Sequence, residues 1–441
     1  MNRFAALQAQ TEPAFSSRNP NLYVRFATRR FRNARVAWLN RRWFLSQGID
    51  FACEAQRNAI ESWLVETFGV AVPAEDDPDE QYLSVEQHLY ADRYGAPSGS
   101  PHGGSGRVGT FGAFNAKGIG RTPLASTQSD WYHSHGCMFL EEAIREAVLS
   151  EVAAAVFPHS AIPTIAIIDA GASLRWRDGT IGARRAIAVR PAFLRVASLM
   201  RTIYFGTSGR PGSDQVMDAA SVSELWKGVG TSDVHEALSR IGVQYGFGNA
   251  LRLWPGPLFP SNFTLDGELL DFGSFRALPS WRCARGESRA HSFGGETTLA
   301  AATARSLSRN ALRCGLLLAP SEMLAAFQDG WRRGFSTALS RYEIGPDSDF
   351  AKELNELRAN QHRIVTDLAG GIDAGVQFGP LRPWTALYRE ELLADTENVI
   401  RALDEGPLAD SASVSDFIEG RIANSYPEGA KAFRIGWHEL A

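Results

Sequence analysis

The stretch from Pro260 to Phe275, reading Pro-Ser-Asn-Phe-Thr-Leu-Asp-Gly-Glu-Leu-Leu-Asp-Phe-Gly-Ser-Phe, leaves the chain few choices. Two short apolar runs flank Asp266-Gly267, the dipeptide expected in a two-residue type I′ hairpin turn, where both central residues take φ > 0. Such a hairpin folds the chain back on itself. Asn262 precedes the first run and Asp271 ends the second, so both are expected at one end. An amide oxygen beside a carboxylate is a hard donor set of the kind that holds Mg²⁺ or Mn²⁺ when phosphate oxygens complete the shell. The bland alternative is an Asp-Gly hairpin with no ligand.

The segments before it favour the first reading. From Ala96 to Gly120 the chain turns to glycine, serine and proline, and Gly104-Ser105-Gly106-Arg107-Val108-Gly109 fits G-x-G-x-x-G. No strand is expected before this segment and no helix after it, which excludes a dinucleotide fold. A Walker loop is excluded because no Gly-Lys-Ser or Gly-Lys-Thr follows. Glycines here would let backbone N–H groups approach a phosphate, the alternative being a flexible surface loop. Residues 110–117 read as a strand ending at Lys117, either a phosphate-holding cation or an ordinary exposed lysine.

A helix is expected over Glu54 to Phe68, and a second, breaker-free one from Leu140 to Phe157, stopped by Pro158. A wheel through Leu140, Ile144, Ala147, Val148 and Ala155 puts Glu151 inside the apolar stripe and Glu146 away from it. The wheel alone therefore offers Glu151 as partner for Lys117. Strands over Ile162 to Asp169 and Arg185 to Arg190 flank the turn Arg177-Asp178-Gly179-Thr180 and complete a mostly β lobe around one helix. Beyond about residue 200 the pattern is helical apart from the hairpin, notably at 297–342 and 349–370. This divides the chain into a β-rich lobe over 1–200 and a helical lobe over 201–441.

Bulk properties exclude several classes. With 45 basic and 49 acidic residues the net charge is −4, against a general nucleic-acid binder. Nine arginines lie between residues 1 and 43, and a solvated face or pairing with the acidic run Glu75 to Glu80 accounts for them. Four scattered cysteines without a Cys-x-x-Cys pair suit a reducing cytoplasm. No secretory leader and no run of about 18 apolar residues is present, so no membrane partner is expected. A zinc hydrolase and a serine hydrolase lack their His-Glu-x-x-His and Gly-x-Ser-x-Gly motifs.

Glycine loop, lysine, helix glutamate, asparagine and Asp271-Phe272-Gly273 thus follow one another in the order of a protein-kinase-like fold. The wording between them, including Lys117-Gly118-Ile119-Gly120-Arg121-Thr122-Pro123, Ile144-Arg145-Glu146, Arg190-Pro191-Ala192-Phe193-Leu194-Arg195 and Asn262 nine residues before Asp271, resembles the selenoprotein O family over roughly residues 25 to 310. The resemblance implies an α+β, bilobal protein-kinase-like fold, with a β-rich N-terminal lobe and a larger helical C-terminal lobe. It implies an enzyme that binds ATP in a flipped pose and transfers AMP to a hydroxyl of a protein or peptide acceptor. Gly104, Gly106 and Arg107 become nucleotide contacts, Lys117 the phosphate lysine, Glu146 its helix partner with Glu151 second, Arg195 a phosphate arginine, and Asn262 and Asp271 the metal ligands. The family's second arginine falls at Ala188, and Arg190, two residues on along the same strand face, is expected to substitute.

This chain departs from the pattern in ways that bear on activity. Ser261 stands where the family has the proton-accepting Asp, and serine is no general base at neutral pH without an activating partner. Residues 250–260 lengthen the catalytic loop. His135-Gly136 replaces the family's Asp-Gly, within His133-Ser134-His135-Gly136-Cys137. His133, His135 and Cys137 read as polar loop residues, the alternatives being a metal trio, or His135 contacting phosphate or serving as a relocated base. A non-catalytic ATP-binding regulator and a tailoring enzyme for a peptide or small-molecule acceptor stand beside the adenylyltransferase.

Overall fold

A computed structural model describes residues 3–51, 53–97, 102–126, 134–175, 181–202, 212–251, 253–277 and 295–341. The described residues contain eight α-helices: α1 (Arg3–Gln8), α2 (Arg41–Ser46), α3 (Glu54–Phe68), α4 (Leu140–Val156), α5 (Gly212–Gly228), α6 (Thr231–Ala250), α7 (Glu296–Arg313) and α8 (Pro320–Arg341). They fall into two compact units, residues 3–151 with 162–228 and residues 152–161 with 229–341. The fold is mixed α+β with an antiparallel sheet.

The first unit is built on nine strands: β1 (Tyr23–Phe31), β2 (Arg35–Leu39), β3 (Val70–Ala71), β4 (Tyr82–Asp92), β5 (Val108–Phe111), β6 (Phe114–Lys117), β7 (Met138–Phe139), β8 (Ala166–Arg175) and β9 (Ile181–Pro191). Their spatial order is β2-β8-β9-β6-β5-β4-β1-β3, with β7 also paired to β9. In β9 the run Ala186-Ile187-Ala188-Val189 is apolar at every position, the mark of a strand buried on both faces. On one face Ile187 and Val189 join Ile60, Leu64 and Phe68 of α3. On the other, Ala186 and Ala188 join Leu140, Ala143, Ile144 and Ala147 of α4. The sheet therefore carries a helix on each face, where a single helix is expected from the sequence.

Other expectations shift in detail. β4 does precede the glycine segment, and no helix follows it. Residues 110–117 form parts of two strands, because Gly112 takes φ +56 and turns the chain between β5 and β6. The turn 177–180 and the stretch 349–370 lie outside the described residues. The first unit extends through α5.

The acidic run after β3 does meet arginines. Arg29 pairs with Asp79, and Arg32 Nε donates to Glu80 O at 3.0 Å. Asp77 Oδ2 accepts from Arg185 Nη1 (3.0 Å), Tyr82 Oη (2.6 Å) and Ala74 N (2.9 Å), and the Arg185 guanidinium lies over the Phe31 ring. Burial pushes the Asp77 carboxyl up, but the Arg185 charge and these hydrogen bonds outweigh it and hold the group below its ordinary value.

In the second unit α6 crosses α8 at backbone contact. Gly242 and Gly246 of α6 face Gly330 and Gly334 of α8 in reciprocal fashion. A Cβ at Gly242 or Gly246 would overlap the carbonyl oxygen of Phe327 or Trp331, and one at Gly330 or Gly334 that of Ser239 or Val243. Small residues four apart form the groove that lets two helices approach this closely.

Candidate functional site

The glycine segment joins β4 to β5 and is clamped from both sides. Ser105 N donates to Asp92 O (2.9 Å) and Ser105 Oγ to Asp92 Oδ1, while Gly103 N donates to Leu124 O (2.8 Å) and Thr122 N to Gly106 O (3.0 Å). Gly104 takes φ +146, and a Cβ there would overlap Asp92 O. Residues 103–105 are buried, so this is a preformed loop and not a loose surface one. Arg107, which follows it, reaches α4: its Nη2 lies 2.8 Å from Glu142 Oε1, and its Nη1 donates to Cys137 O at 3.4 Å.

At the end of β6, Lys117 Nζ pairs with Glu146 Oε1 of α4, with side chains 3% and 2% exposed. The lysine is thus buried, which overturns the alternative of an ordinary exposed lysine. The register places Lys117 opposite Ala188 and Asn115 opposite Arg190, so all four share one sheet face. Arg190 Nε donates to Asn115 Oδ1 (3.1 Å), and its Nη1 lies 3.9 Å from Glu146 Oε2. Glu146 therefore faces two cations. Arg195 Nε lies 3.7 Å from Asp92 Oδ2, and its guanidinium is 4.8 Å from the ring centroids of both Tyr94 and Phe193.

Glu151, the wheel's choice, goes elsewhere: it accepts from Asn40 Nδ2 at 2.7 Å and pairs with Arg42. A wheel assumes one apolar stripe, whereas α4 is buried around most of its circumference and seals both glutamates. His135 Nδ1 accepts the Cys137 N–H at 3.0 Å. Gly136, at φ +75, lies where a Cβ would overlap Gly120. Burial pushes the Cys137 thiol up from its ordinary value. His133 lies outside the described residues.

The second unit holds the hairpin. Asp266-Gly267 does not make a type I′ turn: Gly267 alone takes positive φ (+80), its N–H donates to Thr264 O (3.1 Å), and Thr264 N donates to Glu268 O (3.1 Å). This is a three-residue loop ending in a left-handed glycine, which spares Asp266 an unfavourable φ. Thr264 Oγ1 accepts the Glu268 N–H (3.1 Å) and closes it. At the open end Leu270 N donates to Asn262 O (3.1 Å), so Asn262 and Asp271 do come to the same end. Asp271 itself takes φ 64, a backbone region costly for most side chains and tolerated by Asp and Asn. Ser261 Oγ donates to Asn262 Oδ1 at 3.3 Å.

Among the described residues no three His, Cys, Asp or Glu side chains form a metal-holding group. An amide oxygen and one carboxylate are nonetheless the donors that suit a nucleotide-borne Mg²⁺ or Mn²⁺, whose remaining ligands are phosphate and water. Three partners escape a reading of the sequence: Asn115, Asp92 and Glu142. Asn115 is two positions before Lys117 on one strand and Glu142 one helical turn before Glu146, so periodicity contains both; Asp92 carries no comparable signal. A scan against protein-family models found no match for this chain, and a search of curated proteins found none.

Proposed function

We propose that this protein is a bilobal, protein-kinase-like adenylyltransferase that uses ATP and Mg²⁺ or Mn²⁺ to place AMP on a hydroxyl of a protein or peptide acceptor. The observation that carries the reading is the sealed Lys117–Glu146 pair with Arg190 on the second carboxylate oxygen. Lysine ammonium and arginine guanidinium groups held on one carboxylate are the kind of donors that grip a polyphosphate. Lys117, Arg190 and Arg195 would grip the outer phosphates, and Gly104, Gly106 and Arg107 would lie along the nucleotide. Asn262 and Asp271 would hold the cation, which neutralises phosphate charge when bound. In the reaction the acceptor oxygen bonds to the α-phosphorus, the bond to the β-phosphate bridge breaks, pyrophosphate leaves and the hydroxyl proton passes to solvent or a base.

A second reading has its own observation. Ser261, a serine where the family has a proton-accepting Asp, donates its hydroxyl to Asn262 Oδ1, the amide expected to face the metal. That favours a protein that binds ATP without turnover. Parallel incubations with α-labelled and γ-labelled ATP, followed over protein, peptide and small-molecule fractions, separate the two. Adenylyl transfer moves only the α-label and releases pyrophosphate. Transfer of the γ-label would overturn the proposal in favour of a kinase, and ATP binding without transfer of either label would establish the non-catalytic reading. An α-labelled small molecule would mark a tailoring enzyme.

A further inference from the structure

Asn262 and Asp271 sit on a hairpin with little stability of its own. Its paired part is the Phe263–Leu269 bridge and a few bonds around a three-residue loop, and a two-stranded hairpin this short is marginal in water. Whatever fixes the open end must therefore act through contacts from outside. One side chain that supplies such contacts, at the hairpin's loop and along its flanking edge, is Gln244 of α6. It is fully buried, at 0% exposure. Its Nε2 donates to Gly267 O in the hairpin loop (3.1 Å) and to Ser160 O (2.9 Å), and its Oε1 accepts the His159 N–H (3.2 Å).

Each of these bonds bears on the hairpin. Gly267 O belongs to the loop itself. Ser160 O also accepts the Leu269 N–H (3.3 Å), and Ala161 bridges Leu269 in parallel, so the 159–161 segment forms a third strand-like edge beside the hairpin. Ser160 takes φ 62, a conformation that needs its neighbours to hold it. One amide thus ties α6, the 159–161 edge and the hairpin loop into a single body. Arg240, one helical turn earlier, reinforces the same end from the rim: its Nη1 donates to Asp266 O at 3.4 Å, and its Cβ closes on Gly267. Tyr245 adds an apolar support, its ring 5.6 Å from that of Phe263.

We propose that Gln244 is the positioning residue for the Asn262–Asp271 pair, setting the affinity for the divalent cation without touching it. The inference rests on the metal reading above, and the experiment separates the two. Mn²⁺ binding is measured by electron paramagnetic resonance in the presence of α,β-methylene-ATP, which cannot be cleaved at the α–β position, for the wild type, Gln244→Glu, Gln244→Met and Arg240→Ala. Gln244→Glu keeps the acceptor for His159 and loses both donors, while Gln244→Met keeps the volume. Both are expected to weaken Mn²⁺ binding about tenfold, as loss of a group that orients metal ligands does, and Arg240→Ala about twofold. Metal-free nucleotide affinity should not change in any of them.

A purely structural role would lower the melting temperature and leave the Mn²⁺ dissociation constant where it was. That result overturns the assignment. Should the buried substitutions fail to fold, Arg240→Ala decides, since it lies at the rim of the same contact; wild-type Mn²⁺ affinity in that variant would overturn the proposal. Absence of Mn²⁺ binding by the wild type removes the metal reading as well, and is told apart from the other failures because it needs no variant.

Discussion

Asp77 and Arg185 show what a buried charge costs when its partner is removed. Their side chains are 4% and 2% exposed, and Asp77→Asn would leave a guanidinium sealed beside Phe31 without its counter-charge. The expected loss is about 3 kcal/mol of stability near neutral pH, measured by denaturant unfolding. Its pH dependence has a definite sign. The folded carboxyl titrates below its ordinary value of 3.8, so its contribution is complete above that value and is lost as pH falls through the lower folded one. Wild type and variant should converge in acid, and a gap that does not shrink as pH falls below 3.8 would show that the charge is not the cause. At this scale the sequence was only partly legible. The family resemblance, against the wheel's Glu151, implied Lys117 and Glu146 as a pair, yet it could not show that the lysine would be buried or that Arg190 would share the carboxylate, because both depend on the register of β6 against β9.

Helices α6 and α8 owe their approach to absent side chains. Gly246→Ala would gain about 1 kcal/mol of helix propensity but set a methyl against Trp331 O, so a net loss of about 2 kcal/mol is expected from unfolding curves. Gly228→Ala, with nothing within 4 Å of the new methyl, is the matched control and should be neutral or slightly stabilising. Equal effects at the two sites would mean that the close crossing is not a source of stability. Helices α3 and α4 were readable almost to the residue, since apolar period and flanking breakers agree there. The α6–α8 contact was not, because glycine inside a helical pattern reads as a weakness until a second helix is set against it. The hairpin was legible as an element and misread in its turn: Asp-Gly signals reversal but does not by itself choose between a two-residue and a three-residue loop.

For the whole molecule, ligand linkage gives the broadest test. A ligand that binds only the folded protein stabilises it by about 2.7 kcal/mol at a hundred times its dissociation constant, so ATP with Mg²⁺ or Mn²⁺ should raise the melting temperature measurably. Asp271→Asn is the informative variant, because asparagine tolerates the left-handed backbone at φ 64 and removes only the charge. It should abolish the metal-dependent part of the shift and leave the part that ATP produces in chelator. An unaltered metal-dependent shift would move the cation away from this hairpin. Composition spoke at the same scale, and the described residues contain no helix long and apolar enough to cross a membrane.

The sheet also sets an order of events during synthesis. Arg35 of β2 binds Asp169 of β8, 134 positions later in the chain. At 5 to 20 residues per second, β2 leaves the ribosome roughly 7 to 27 s before its neighbour exists. Through that interval Val36, Ala37, Trp38 and Leu39, all buried in the finished protein, have no strand to lie against. The edge that β8 eventually covers is therefore, in the growing chain, a ready template for the wrong partner, and prompt shielding there belongs to the biogenesis of this fold as much as any contact in its final form.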